Sequence, residues 1–160
     1  MPESQVAGSV DTQRPTARKR PSIKVAVLLP LSAEGNTKNV AQAMKRAGEL
    51  ALFDFNNPEL QLMTKDTRGT PEGAKAAAEQ AVQEGAELII GPLFAEAVQG
   101  AAPVARKAGV PVIAFSSNRQ VAGNGVYLLS FLAGSEVQRI VSYAMTQGHR
   151  RFAALIPENA

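Results

Sequence analysis

The chain has 160 residues, 45% of them hydrophobic, and no cysteine; that length fits one domain with a core that needs no staples and excludes disulfides, a thiol nucleophile and lipidation on a cysteine of this chain. Its net charge of +3 does not describe a nucleic-acid surface, because residues 1–22 carry +2 of it through Arg14, Arg18, Lys19 and Arg20 set against Glu3 and Asp11, whereas a DNA- or RNA-binding domain places its basic patch on the folded part. No run reaches the ~18 apolar residues of a membrane span, and the N-terminus lacks the apolar stretch of a signal peptide.

Residues 1–22 are polar, interrupted by Pro2, Pro15 and Pro21, and bury too little apolar surface to offset their ordering entropy. They read as a disordered tail or linker. IKVAVLLP (23–30) is then a continuous apolar run rich in β-branched residues, the pattern of a strand buried on both faces. A turn over 32–36 leads into a helix predicted for about 37–56, with Val40, Met44, Ala47, Ala51 and Phe55 on one stripe, and Asn57-Pro58 stops it.

The unit repeats. LQLMTK (60–65) is a short strand, and Thr70-Pro71 opens a helix with a capping hydroxyl and a proline at its first turn. Ala74, Ala77, Ala78, Ala81 and Val82 are its buried stripe, and Gly85 its left-handed end. AELIIGP (86–92) is the third strand, 94–108 the third helix with Pro103 inside it, and VPVIAF (110–115) the fourth strand. VYLLSF (126–131) is a fifth short strand, 135–147 a fourth helix and RFAALIP (151–157) a last strand. Strands alternating with helices at this spacing require βαβ crossovers, hence an α/β fold with an open parallel sheet of repeated βα units and helices on both faces.

In such a sheet ligands bind outside the carboxyl ends of the strands, which nominates the loops 31–36, 66–69, 92–96 and 116–119. Their Ser, Asn, Asp and Gly residues are also ordinary turn formers. Catalytic readings find no support. There is no phosphate-cradling glycine motif and no cluster of metal-ligating residues, so no cofactor is expected. The single histidine, His149, sits in a turn with no nucleophile near it in sequence. Asp66 ends a strand, as a phosphoacceptor would, but Pro30-Leu31-Ser32 replaces the acidic pair that would hold magnesium. Asp66 is expected to be a loop hydrogen-bond acceptor, pairing Arg68.

Four segments in order, IKVAVLLPLSAEG, DTRGTPEGA, ELIIGPLFAEAV and AGVPVIAFSSN, resemble the Leu/Ile/Val-binding family of type I periplasmic binding proteins, the substrate-binding components of branched-chain amino-acid ABC transporters. The resemblance runs from Ile23 to Ile156. It implies two similar lobes closing on a small polar solute such as an amino acid. Residues 23–131 would be the first lobe and 132–160 the incomplete beginning of the second, so the chain is expected to be truncated. Export is implied, to the periplasm or cell envelope, with a signal peptide upstream of this chain and an ABC transporter permease as partner. Loop position nominates Ser32 and Asp66 as ligand contacts, and the resemblance places further contacts in the loops after the third and fourth strands, at Leu93, Phe94, Ala95, Ser116, Ser117 and Asn118. It also exposes a departure: relatives that bind amino acids offer serines after the third strand, where this chain reads Phe94-Ala95-Glu96-Ala97. GPLFAEAV and AFSSNRQVAGNGVYLLSF are similar instead to the penicillin-binding protein activator group, envelope lipoproteins that act through protein contacts with a peptidoglycan synthase. A third reading, a ligand-sensing domain of a cytoplasmic regulator, would need a DNA-binding element, and the tail has no helix-turn-helix pattern.

Overall fold

The structure, a computed structural model, describes residues 22–131 and 133–155; all but Ser22 of the segment expected to be disordered lies outside them. Strand β1 (Ile23–Leu29) is the pivot of a five-stranded sheet. It pairs in parallel with β2 (Leu60–Asp66) on one side and β3 (Leu88–Ile90) on the other. β4 (Val112–Ala114) and β5 (Val126–Leu128) continue the sheet beyond β3, giving the order β2-β1-β3-β4-β5 with every pairing parallel. The helices are α1 (Asn36–Phe55), α2 (Pro71–Gln83), α3 (Ala95–Lys107) and α4 (Ala133–Thr146).

Alternation along β1 divides the core in two. Ala26 and Leu28 point into a cluster with α2 and α3, while Val27 and Leu29 pack with Ala41 and Met44 of α1. The sheet thus carries α1 on one face and α2 with α3 on the other. The second face is built from small residues: Ala74, Ala77, Ala78 and Ala81 of α2 and Ala97, Ala101, Ala102 and Ala105 of α3 are all buried. Alanine loses no side-chain entropy on burial and lets the helix backbones approach closely. The approach is tight enough that a Cβ on Gly100 would collide with the carbonyl oxygen of Pro71. The start of α2 follows the sequence signature, with the Thr70 hydroxyl accepting from the Gly73 N–H at 3.0 Å.

The α1 face is only half covered. Val27, Ile90, Ile113 and Tyr127 stand in register across four strands, and α1 lies over the β1–β2 end of that row, where Met44 packs with Leu62. Its predicted stripe exists but looks partly into the open. Met44, Ala47, Ala51 and Phe55 line one wall of a crevice of about 800 Å³ whose floor is Val27, Leu62 and Ile90. Phe55 is therefore 64% exposed and Tyr127 62%.

Two sequence expectations change. The third, fourth and fifth strands shrink to three residues each; Pro92, with no N–H for a ladder, follows the third. Pro103 lies inside α3, as expected. Residues 151–155 are irregular and exposed, not a strand; among the described residues no strand lies alongside to receive their backbone hydrogen bonds, and the rest of the predicted strand, 156–157, lies outside the described residues. α4 projects with Val137, Ile140 and Tyr143 exposed, and Arg119 Nη2 donates to Ser135 Oγ at 2.8 Å near its start. No helix among the described residues is long and apolar enough to cross a membrane.

The tight α2–α3 contact sets a sign test. On helix propensity alone Gly100→Ala would stabilise by about 1 kcal/mol. The collision with Pro71 outweighs that at an overpacking cost of about 1–3 kcal/mol, so a net loss of thermal stability is expected by differential scanning calorimetry.

Candidate ligand-binding cleft

The reversal of strand order beside β1 creates a crevice. The chain leaves β1 for the α1 face and leaves β3 for the opposite face, so the loops after these neighbouring strands diverge at their carboxyl ends. The β1 loop begins at Pro30, fully buried, and is fastened to the β2 loop by one carboxylate. Asp66 Oδ1 accepts from the N–H of Leu31 at 2.9 Å, of Ser32 at 3.2 Å and of Arg68 at 2.9 Å. The expected partnership with Arg68 is therefore made through its backbone, and no ion pair with its guanidinium forms among the described residues. Arg68 itself adopts φ 55°.

Beside Asp66, Thr67 locks the same corner. Its N–H donates to Leu29 O at 2.9 Å, its carbonyl accepts from Thr70 N at 3.1 Å, and its side chain is buried. Thr67 was not among the residues nominated from the sequence. Its place between a strand end and a capped helix in Asp-Thr-Arg-Gly-Thr was the available signal.

The β3 loop has no polar side chain to offer. Gly91 donates to Ile113 O at 2.7 Å, and a Cβ there would collide with the Leu28 carbonyl. Leu93 is half-buried, Phe94 is 41% exposed, and Ala95 opens α3. Phe94 occupies the N-cap position and supplies no side-chain cap to α3. The Phe94 ring reaches toward the other two loops. The site a Cβ would take on Gly69 lies 3.7 Å from Pro30 Cβ, 3.8 Å from Ala33 Cβ and 4.0 Å from Phe94 Cε2.

The β4 loop adjoins the β3 loop, Phe115 N donating to Pro92 O at 3.1 Å. Ser116 is only 5% exposed, and its Oγ accepts from Asn118 N at 3.1 Å. Asn118 Oδ1 accepts from Gln120 N at 2.9 Å, opening a single 3-10 turn over Arg119–Val121. Both side chains are spent on folding their own loop. Ser117 is exposed. The structure thus joins Ser32 to Asp66 directly, sets Phe94 at the corner where the β1, β2 and β3 loops converge, and keeps Ser116 and Asn118 as local loop formers. The larger apolar crevice under α1 is elsewhere, lined only by apolar residues and glycine, and offers a polar solute no partner.

This corner is where an open parallel sheet places its ligands. The sequence matches the family described as periplasmic binding protein over residues 22–160, and the chain belongs to that family. Among curated proteins no sequence matches it. Solved structures share the fold. A branched-chain amino acid transporter substrate-binding protein of Streptococcus pneumoniae, in complex with isoleucine, has TM-score 0.60 and 22% identity over 68% of this chain and 33% of its own. A leucine-binding protein of Thermotoga maritima has TM-score 0.63 and 23% identity over 78% of this chain and 37% of its own. A solute-binding protein of Rhodopseudomonas palustris, in complex with 4-hydroxybenzoate, has TM-score 0.59 and 22% identity over 68% and 31%. The chain spans about a third of the length of these relatives. None of the three carries the penicillin-binding protein activator reading.

Asp66 is the one titratable group whose charge the cleft visibly tunes. Partial burial pushes its pKa up, but the hydrogen bonds it accepts from the Ser32 hydroxyl and the N–H groups of Arg68, Ser32 and Leu31 outweigh that and hold it below the usual carboxylate range. The charged form is thus favoured by folding. Its stabilising effect is full above the unfolded value of about 3.9 and fades as pH falls through the lowered folded value. Asp66→Ala is expected to cost about 1–3 kcal/mol at pH 7 in chemical denaturation, because it strands three N–H groups. Asp66→Asn keeps an acceptor oxygen and is expected to cost less. It should also flatten the part of the acid-side stability slope due to this group, below about pH 4; an unchanged slope would count against the charge assignment.

Proposed function

We propose that this chain provides the first lobe, residues 23–131, of a non-catalytic solute-binding receptor, with 132–160 entering the second lobe. The ligand would be a small carboxylate-bearing solute held at the carboxyl edge of the sheet between the β1, β3 and β4 loops. The carrying observation is the fastened switch-point corner: Asp66 and Thr67 hold the β1 and β2 loops rigid beside the open β3 loop. Pre-organised loops lose little freedom on binding. Membership of the periplasmic binding protein family supports a periplasmic receptor that serves an ABC transporter permease. The relatives in complex with isoleucine and with 4-hydroxybenzoate bracket the ligand class, an amino acid or an aromatic acid. The contact set is Ser32, Leu93, Phe94, Ala95 and Ser117 from this lobe, with Asp66, Ser116 and Asn118 supporting the loops from behind.

Contact from one lobe leaves half of a ligand in water, so affinity on these 160 residues is expected to be weak, on the order of 1 mM. Amide chemical-shift mapping with 4-hydroxybenzoate, isoleucine and leucine should move resonances of residues 31–33, 93–95 and 116–118. Shifts confined to other regions, or none with all three solutes, would contradict the reading.

A further inference from the structure

The acceptors at this corner are partly engaged before any ammonium group arrives. An α-amino acid brings a cation that must exchange its hydration for fixed acceptors. The carboxylate facing this corner, Asp66, already holds three backbone N–H groups and the Ser32 hydroxyl. Ser116 Oγ and Asn118 Oδ1 are taken by Asn118 N and Gln120 N. Leu93, Phe94 and Ala95 have no polar side-chain atom. Glu96, in the first turn of α3, is exposed, and an ion pair there gains little against water.

What the corner does offer is an aromatic face. The Phe94 ring has its Cε2 edge toward Gly69, which takes φ 73°, on the same side as Pro30 and Ala33. That contact steadies one edge while 41% of the residue stays exposed. A ring anchored at one edge and open elsewhere is a stacking platform, and aromatic pairs gain beyond their buried area. Resting on the solute-binding reading above, we propose that Phe94 is the specificity-determining residue of the cleft, selecting a small planar aromatic acid over an aliphatic amino acid by stacking on the ligand ring.

The test is an NMR titration of the chain, and of its Phe94→Ala and Phe94→Leu variants, with 4-hydroxybenzoate and with isoleucine. Phe94 is surface-exposed, so both variants are expected to fold, checked by unchanged amide spectra away from the loops. The proposal expects the unsubstituted chain to bind 4-hydroxybenzoate more tightly than isoleucine. F94A should weaken 4-hydroxybenzoate binding about twofold to twelvefold, the range of one aromatic pair, with F94L between the two and isoleucine changed less than about twofold. Equal loss for both ligands, no loss for either, or tighter isoleucine binding by the unsubstituted chain overturns the role of Phe94 while leaving the solute-binding reading standing. Binding of neither ligand by the unsubstituted chain overturns that reading, and this inference with it.

Discussion

Every backbone donor and acceptor of the central strand must be satisfied from both sides, and that requirement organises this molecule. β1 bonds to β2 on one edge and β3 on the other, so its two faces are buried and its residues from Val25 to Leu29 must be apolar throughout. Because right-handed crossovers carry the chain to opposite faces on leaving β1 and β3, the same pairing that satisfies the strand opens a crevice at its carboxyl end. The crevice is thus a consequence of how the core is wired.

Two devices hold that shape. On one side of the sheet the alanine faces of α2 and α3 bring the helices close enough that Gly100 must remain a glycine. At the carboxyl edge, Asp66 and Thr67 replace regular secondary structure with side-chain and turn hydrogen bonds. The consequence for function is a trade in polarity. Several polar residues of the loops shape them through local hydrogen bonds, and Ser117 and the ring of Phe94 remain exposed.

The fold was legible because its signals are local. Period and β-branching mark β1, Thr70-Pro71 marks the start of α2, and Gly85 and Gly109 fall at helix ends with positive φ as expected. What could not be read depends on partners distant in sequence. RFAALIP has the composition of a strand, yet 151–155 are irregular, since pairing and not propensity makes a strand. The stripe of α1 is visible in the sequence, but that Phe55 looks into an open crevice depends on how little of the sheet α1 covers. In the loops, position alone marked Asp66 as a hydrogen-bond acceptor and nominated Ser116 and Asn118 as ligand groups; the local hydrogen bonds these two accept depend on how the loop folds. Only coordinates reveal that a hydroxyl buried to 5% exposure is already engaged. The absence of serines at 94–97 was readable; that Phe94 bridges three loops was not.

The central claim is that a small acid binds at the switch-point corner and not in the larger apolar crevice under α1. Intermolecular nuclear Overhauser effects between the ring protons of 4-hydroxybenzoate and the protein distinguish the two places directly. The account predicts contacts to Phe94, Ala33 and Gly69. Contacts to Met44, Leu62 and Ile90 would place the ligand in the crevice and contradict it.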